Sequence, residues 1–228
     1  MWVNALLILG AYLLGAFPVV YLIGKVRGFD LSKEEDMHIS LWQKVGRGEG
    51  VIGISWDVAK GAIAVIVAKE VLGFGLTTVA GVGIAVVIGE MWSIFLRFRG
   101  EKANTTGLGM AAALAYQALP FILVPVALGA GIRIVPRLLN PNQSLTERLK
   151  FGGSPSLSLP LGMLIGFALL PLGCWYLKLP MEVTLTCLAL FFLIMLKRLT
   201  PGLRNDLKTT NNRKSIVLNR LLFDRSYL

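Results

Sequence analysis

Asp57 and Lys60 lie three residues apart inside an apolar stretch, and Glu90 stands in another, within Gly89-Glu90-Met91-Trp92. On a helix a spacing of three puts Asp57 and Lys60 on one face. Unpaired charges are costly in hydrocarbon, so all three side chains must face a protein interior or water. Two readings follow: an ion pair that locks two helices together, or a polar site that opens to the cytosol. A second group runs from Arg97 through Phe98, Arg99, Gly100, Glu101, Lys102 and Ala103 to Asn104, Thr105, Thr106, Gly107, Leu108 and Gly109. Its basic side chains precede a small, hydroxyl-bearing stretch suited to starting a helix, with Asn104 or Thr105 expected as the cap. Free backbone N–H groups there, beside Arg97, Arg99 and Lys102, make an anion site, most simply for phosphate. Gly107 and Gly109 let a ligand or another helix approach the backbone.

The elements that position these residues are read from hydropathy. The chain has 228 residues, 55 % hydrophobic and 16 % charged, with a mean hydropathy of +0.68. Soluble domains carry about 25 % charged residues, so too little charge is present here to cover a water-facing surface. Disorder, collagen and a small disulfide scaffold are excluded by the same figures, and aqueous metal hydrolases and DNA readers fit poorly. An all-α, polytopic membrane protein is expected.

A helix of about 20 apolar residues crosses the hydrocarbon core. Trp2 to Gly24 is uncharged and is followed by Lys25 and Arg27, the reverse of a cleaved signal peptide's flanks. Val51 to Ala68, Leu76 to Leu96, Leu157 to Leu177 and Met181 to Leu196 are further spans. Gly107 to Ile132 is too long for one straight helix and contains Pro120 and Pro125; a short helix to about Gln117 and a second from Pro120 fit it better. The positive-inside rule chooses between six spans and seven. Seven, with the N-terminus outside, place four basic groups in the cytosol: Lys25 to Arg47, Arg97 to Lys102, Arg133 to Lys150, and the tail from Lys197. Six would put the last two outside. The net charge of +10 is then mostly topology, and a nucleic-acid partner is not expected. Residues 1–200 form the membrane domain and 201–228 a basic cytosolic tail, expected in solvent or at the interface.

Cys174 and Cys187 both lie in apolar stretches without metal-ligand spacing and read as small buried hydrophobes. His38 is the only histidine, which excludes a multi-histidine metal site; it lies in a charged loop and is expected to be solvated. No cofactor and no metal are expected.

With these residues in place, the chain resembles the bacterial acyl-phosphate:glycerol-3-phosphate acyltransferase family. The resemblance rests on Asp57-Val58-Ala59-Lys60-Gly61, on Gly89-Glu90 followed by Phe95-Leu96-Arg97-Phe98-Arg99-Gly100-Glu101-Lys102, and on Thr106 and Gly109. Layout agrees from residue 1 to about 200. This chain has Glu90 where the family has His, Ser93 where it has Pro, and Lys197-Arg198 where it has His-Arg. The glycine-rich phosphate run of the family's first loop is replaced by Asp30 to Ser40, where Ser40 matches its final Asn.

The resemblance implies a monomeric, seven-helix enzyme of the bacterial inner membrane. It would move a fatty acyl group from acyl phosphate to glycerol 3-phosphate, giving lysophosphatidic acid for phospholipid synthesis, with membrane lipid as its surroundings. An acyl phosphate is already activated, so catalysis consists mainly of positioning and charge neutralisation. The implied catalytic residues are Asp57, Lys60, Glu90 and Lys102, with Glu90 as base and Lys60 stabilising charge. Ser40, Arg97, Arg99, Asn104, Thr105, Thr106, Gly107 and Gly109 are the implied substrate contacts. The alternative is a relative that binds an anionic lipid or phosphate without acyl transfer.

Overall fold

The structure is a computed structural model and describes residues 2–34, 36–139, 157–209 and 212–224. Arg148 and Lys150 of the expected third basic group, and Arg225 of the tail, lie outside the described residues. Secondary structure among the described residues is helical throughout. Helix α1 (Trp2–Ala16) ends one residue before the Phe17-Pro18 pair, and α2 (Val19–Val26) continues the span. The first expected span, Trp2 to Gly24, is thus built from two helices, because Pro18 has no N–H and disfavours helical geometry at Phe17. A short α3 (Met37–Ser40) follows, capped by the Asp36 carboxylate, which accepts from the Ile39 N–H at 3.0 Å.

The long α4 (Arg47–Ile66) and α5 (Leu76–Met91) carry Asp57 and Lys60, and Glu90, respectively. Next come α6 (Asn104–Leu114) and α7 (Leu119–Leu138), separated by a tight turn over Tyr116–Ala118. The expected division of the Gly107–Ile132 stretch is therefore present. Helices α8 (Ser158–Tyr176) and α9 (Met181–Leu199) form a hairpin, and α10 (Leu203–Thr209) and α11 (Arg213–Phe223) follow.

Among the described residues, five helical stretches are long and apolar enough to cross a membrane: Trp2–Val26, Arg47–Val71, Leu76–Leu96, Tyr116–Pro136 and Ser158–Tyr176. Helix α6, with 11 residues, is only about 16 Å long. The outward faces carry large apolar side chains, Leu6, Leu128 and Phe192 each more than 60 % exposed, as a lipid-facing surface requires.

The core joins α4, α5, α6, α8 and α9 through Val65, Val86, Met110, Phe167, Leu170 and Leu190. Helices α4 and α6 touch backbone to backbone. A Cβ on Gly61 would collide with the Thr106 carbonyl, and one on Gly109 with the Val58 carbonyl. That small-residue contact brings Thr106 beside Asp57. The end of α1 is tied to the loop after α5: Tyr12 Oη donates to the Trp92 carbonyl at 2.9 Å, and Ser93 Oγ donates to the Ala16 carbonyl.

Candidate functional site

The buried charges of α4 and α5 meet. Lys60 Nζ lies 2.7 Å from Asp57 Oδ1 and 2.7 Å from Glu90 Oε2. All three residues are at most 6 % exposed, so each carboxylate is satisfied inside the protein rather than by water. The buried Thr106 hydroxyl faces two acceptors, the Asp57 carbonyl at 2.9 Å and Glu90 Oε2, and its single proton can be donated to either. The Lys60 ammonium thus holds the Glu90 carboxylate, and the Thr106 hydroxyl, shared with the Asp57 carbonyl, lies against the same oxygen.

Two residues outside the expected set, His38 and Glu101, complete the site. His38, expected in solvent, is turned inward by α3, and its Nε2 lies 2.9 Å from Asp57 Oδ2 and 2.9 Å from Glu101 Oε2. Burial alone would push the imidazole pKa down, but Glu101 and Asp57 outweigh it and hold it up at about 11. His38 is therefore an imidazolium at neutral pH. Burial pushes the Glu101 carboxyl up from its ordinary value, and His38 opposes that shift. No local pattern marks His38: the Asp36 cap that starts α3 is visible in the sequence, whereas the packing of α3 on α4 is a long-range contact. Glu101 was legible only as one charge in a basic run.

His38, Asp57, Glu90 and Glu101 offer ligand atoms within 4.8 Å of one another, a donor set that a divalent cation could use. Lys60 already brings a cation to two of its members. Beside the cluster is a small cleft between the α1–α2 break and the loop after α5. Its lining combines apolar groups of Phe17, Pro18, Val20 and Leu96 with the polar groups of Asp57, Lys60, Glu90, Ser93 and Glu101.

The remaining expected contacts are dispersed. Lys102 Nζ pairs with Asp224 Oδ2 at 2.6 Å. Arg97 and Arg99 are exposed on the loop before α6, and neither pairs with a carboxylate among the described residues. Ser40 is buried and donates to Glu34 Oε2 at 3.1 Å. The expected cap of α6 is not used: Ala103, at φ 53°, occupies the cap position without a side-chain bond, and Asn104 becomes the first helical residue with Thr105 next. The left-handed backbone that turns the chain into α6 decides the cap, ahead of side-chain preference. Gly107 makes room for Leu190, and Gly109 for α4. Lys197, buried on α9, donates to the Met91 carbonyl and lies over the Trp92 ring at 5.2 Å from its centroid.

Residues 5–201 match the family described as glycerol-3-phosphate acyltransferase. The chain belongs to this family. Among curated members, the glycerol-3-phosphate acyltransferase of Rubrobacter xylanophilus is 36 % identical over 115 residues, which is 49 % of this chain and 57 % of that one. The protein of the same name from Trichlorobacter lovleyi is 40 % identical over 111 residues, 47 % of this chain and 57 % of that one. The chain thus spans less than two thirds of the length of these curated relatives.

The crystal structure of PlsY, an integral membrane glycerol 3-phosphate acyltransferase, in its lysophosphatidic acid form superposes with a TM-score of 0.67. Identity is 22 %, over 90 % of this chain and 92 % of that one. Its glycerol 3-phosphate form gives 0.67 at 21 % identity, over 92 % and 93 %. The acyltransferase family fold therefore extends over nearly all of this chain, which is a multi-pass membrane protein.

Proposed function

We propose that the chain is an acyltransferase that moves a fatty acyl group from acyl phosphate to a hydroxyl of glycerol 3-phosphate, releasing inorganic phosphate and lysophosphatidic acid. The observation that carries this reading is the buried Asp57–Lys60–Glu90 cluster on the lining of a cleft that also presents apolar side chains. A reacting carbonyl could rest at such a boundary while the acyl chain lies against Phe17, Val20 and Leu96 or the surrounding bilayer.

Glu90 accepts the proton of the attacking hydroxyl. Lys60 stabilises charge developing on the carbonyl oxygen, and Asp57 holds Lys60 in place. His38, as an imidazolium, fixes Asp57 and Glu101. The inner cluster sets three carboxylates, Asp57, Glu90 and Glu101, against two cations, Lys60 and His38, and would repel a phosphate. The substrate phosphates are therefore assigned to the outer cations Lys102, Arg97 and Arg99 and to the first-turn amides of α6, at Asn104, Thr105 and Thr106. Seven spans with the N-terminus outside and the C-terminus in the cytosol, in a bacterial inner membrane, are read from the placement of the basic residues, with α6 and α9 supplying the two spans beyond the five long apolar ones. This topology opens the cluster to the cytosol, where glycerol 3-phosphate would be found.

One observation favours a second reading, a relative that binds phosphate without transferring acyl groups: Lys102 is already neutralised by Asp224. The two separate in one assay. Protein in lipid nanodiscs, supplied with palmitoyl phosphate and radiolabelled glycerol 3-phosphate, should form labelled lysophosphatidate and inorganic phosphate in equal amounts. Binding of glycerol 3-phosphate without product would overturn acyl transfer in favour of the second reading.

A further inference from the structure

The C-terminal segment lies beyond the residues that match the family, 5–201, yet it is packed against the bundle. Asn212 caps α11, its side chain accepting from the Ser215 N–H at 3.2 Å. Ile216 is 2 % exposed. Arg220, also buried, pairs with Asp206 and donates to the Pro201 carbonyl and to the Leu199 carbonyl at 3.4 Å. Arg198, on α9, donates to the Leu221 carbonyl at 2.9 Å and to the Pro160 carbonyl at 3.1 Å. These contacts carry the end of α11 to the loop before α6. There Asp224, just past the helix at φ 61°, sets its carboxylate on Lys102.

A carboxylate and a phosphomonoester present the same chemistry to an ammonium: an anionic oxygen at hydrogen-bond distance. The Lys102–Asp224 pair is half-sheltered, with 20 % and 15 % of the two side chains exposed, so it is opened more readily than the buried Lys60 pairs. We propose that Asp224 is an internal competitor for the phosphate site: the docked tail occupies Lys102 in the resting protein, and a phosphomonoester must displace it to bind. This rests on the assignment of substrate phosphate to Lys102. The tail is then a regulatory element. Whatever draws α11 from the bundle raises the apparent phosphate affinity, and bound phosphate loosens the tail to the same thermodynamic extent. The exposed Arg213 and Lys214 give anionic headgroups a hold on the same helix.

The test uses the full chain in nanodiscs of neutral phosphatidylcholine, titrated with glycerol 3-phosphate. The variants are Asp224→Asn, Lys102→Gln and the double variant. Asparagine tolerates the left-handed backbone, so Asp224→Asn removes the charge with little strain. The proposal expects Asp224→Asn to bind glycerol 3-phosphate about tenfold more tightly than wild type, the scale of a lost charge-assisted competitor. The double variant should lose that gain. Hydrogen exchange over residues 213–224 should rise when the wild type is saturated, a readout independent of turnover. Unchanged or weaker binding by Asp224→Asn, while Lys102→Gln weakens binding, overturns the competition and leaves the phosphate assignment standing. Equal binding by wild type, Lys102→Gln and the double variant overturns the phosphate assignment and the competition with it. Repeating the titration with phosphatidic acid in the nanodisc separates a lipid headgroup from the soluble ligand. Loss of glycerol 3-phosphate binding at matched protein stability would mean that the headgroup takes Lys102, and would overturn the assignment of that site to the soluble phosphomonoester.

Discussion

Replacing Lys60 with methionine keeps most of the side chain's length and volume and removes its charge. The ammonium lies 2.7 Å from both Asp57 and Glu90, with 3 % of the side chain exposed. Asp57 would keep a second cation, His38 Nε2 at 2.9 Å, whereas Glu90 would keep only the Thr106 hydroxyl. The variant therefore strands one buried carboxylate rather than two. Breaking a buried ion pair from one side costs about 3–5 kcal/mol. In chains of this length each kcal/mol moves the melting midpoint by about 2–4 °C, so a fall of about 6–20 °C is expected. Glu90→Gln leaves Lys60 paired with Asp57 and should cost less, about 1–3 kcal/mol. The decisive variant is the double one, Lys60→Met with Glu90→Gln. It has no orphan carboxylate and should melt above Lys60→Met alone. Thermal unfolding of purified protein in one detergent, followed by tryptophan fluorescence, reads all four proteins. A Lys60→Met midpoint indistinguishable from wild type, or a double variant below Lys60→Met, would refute the argument from stranded charge.

Three further outcomes follow from the same geometry. The raised His38 pKa stabilises the fold fully below its ordinary value of 6.5, and the contribution fades as pH climbs toward about 11; the midpoint gap between wild type and His38→Gln should shrink over that window, and a constant gap would show that the ion pairs do not contribute. Gly109→Ala forces a Cβ into the Val58 carbonyl and should cost about 1–3 kcal/mol, whereas Gly10→Ala, which meets nothing within 4 Å, should cost nothing measurable in the same melt. Reporter fusions at the two ends should place the N-terminus outside and the C-terminus in the cytosol, and both ends on one side would remove the seven-span topology.

The sequence carried the parts of the site that depend on periodicity and on the cost of charge in hydrocarbon. Asp57 and Lys60 had to share a face, and both had to find partners away from lipid, which is where Glu90 meets them. The division between α6 and α7 was legible because proline suits a helix start. Contacts set by the tertiary path were not legible. His38 enters the cluster only because α3 folds against α4, and nothing within the loop fixes that angle. Lys102 reads as a free cation until α11 returns with Asp224 from far along the chain. The cap of α6 failed for a related reason: the backbone reaches the helix through Ala103 in a left-handed conformation, and the oxygen-bearing side chains come one and two positions too late to cap it.

In the proposed mechanism Glu90, held by Lys60, takes the proton of the acceptor hydroxyl. Single-turnover transfer from palmitoyl phosphate to glycerol 3-phosphate, measured for wild type and Glu90→Gln at matched folding and saturating acceptor, tests it most directly. A general base contributes about 10²–10⁴-fold. Glu90→Gln should slow formation of lysophosphatidate by at least about a hundredfold while glycerol 3-phosphate affinity stays near that of wild type. Transfer by Glu90→Gln at the wild-type rate would contradict it.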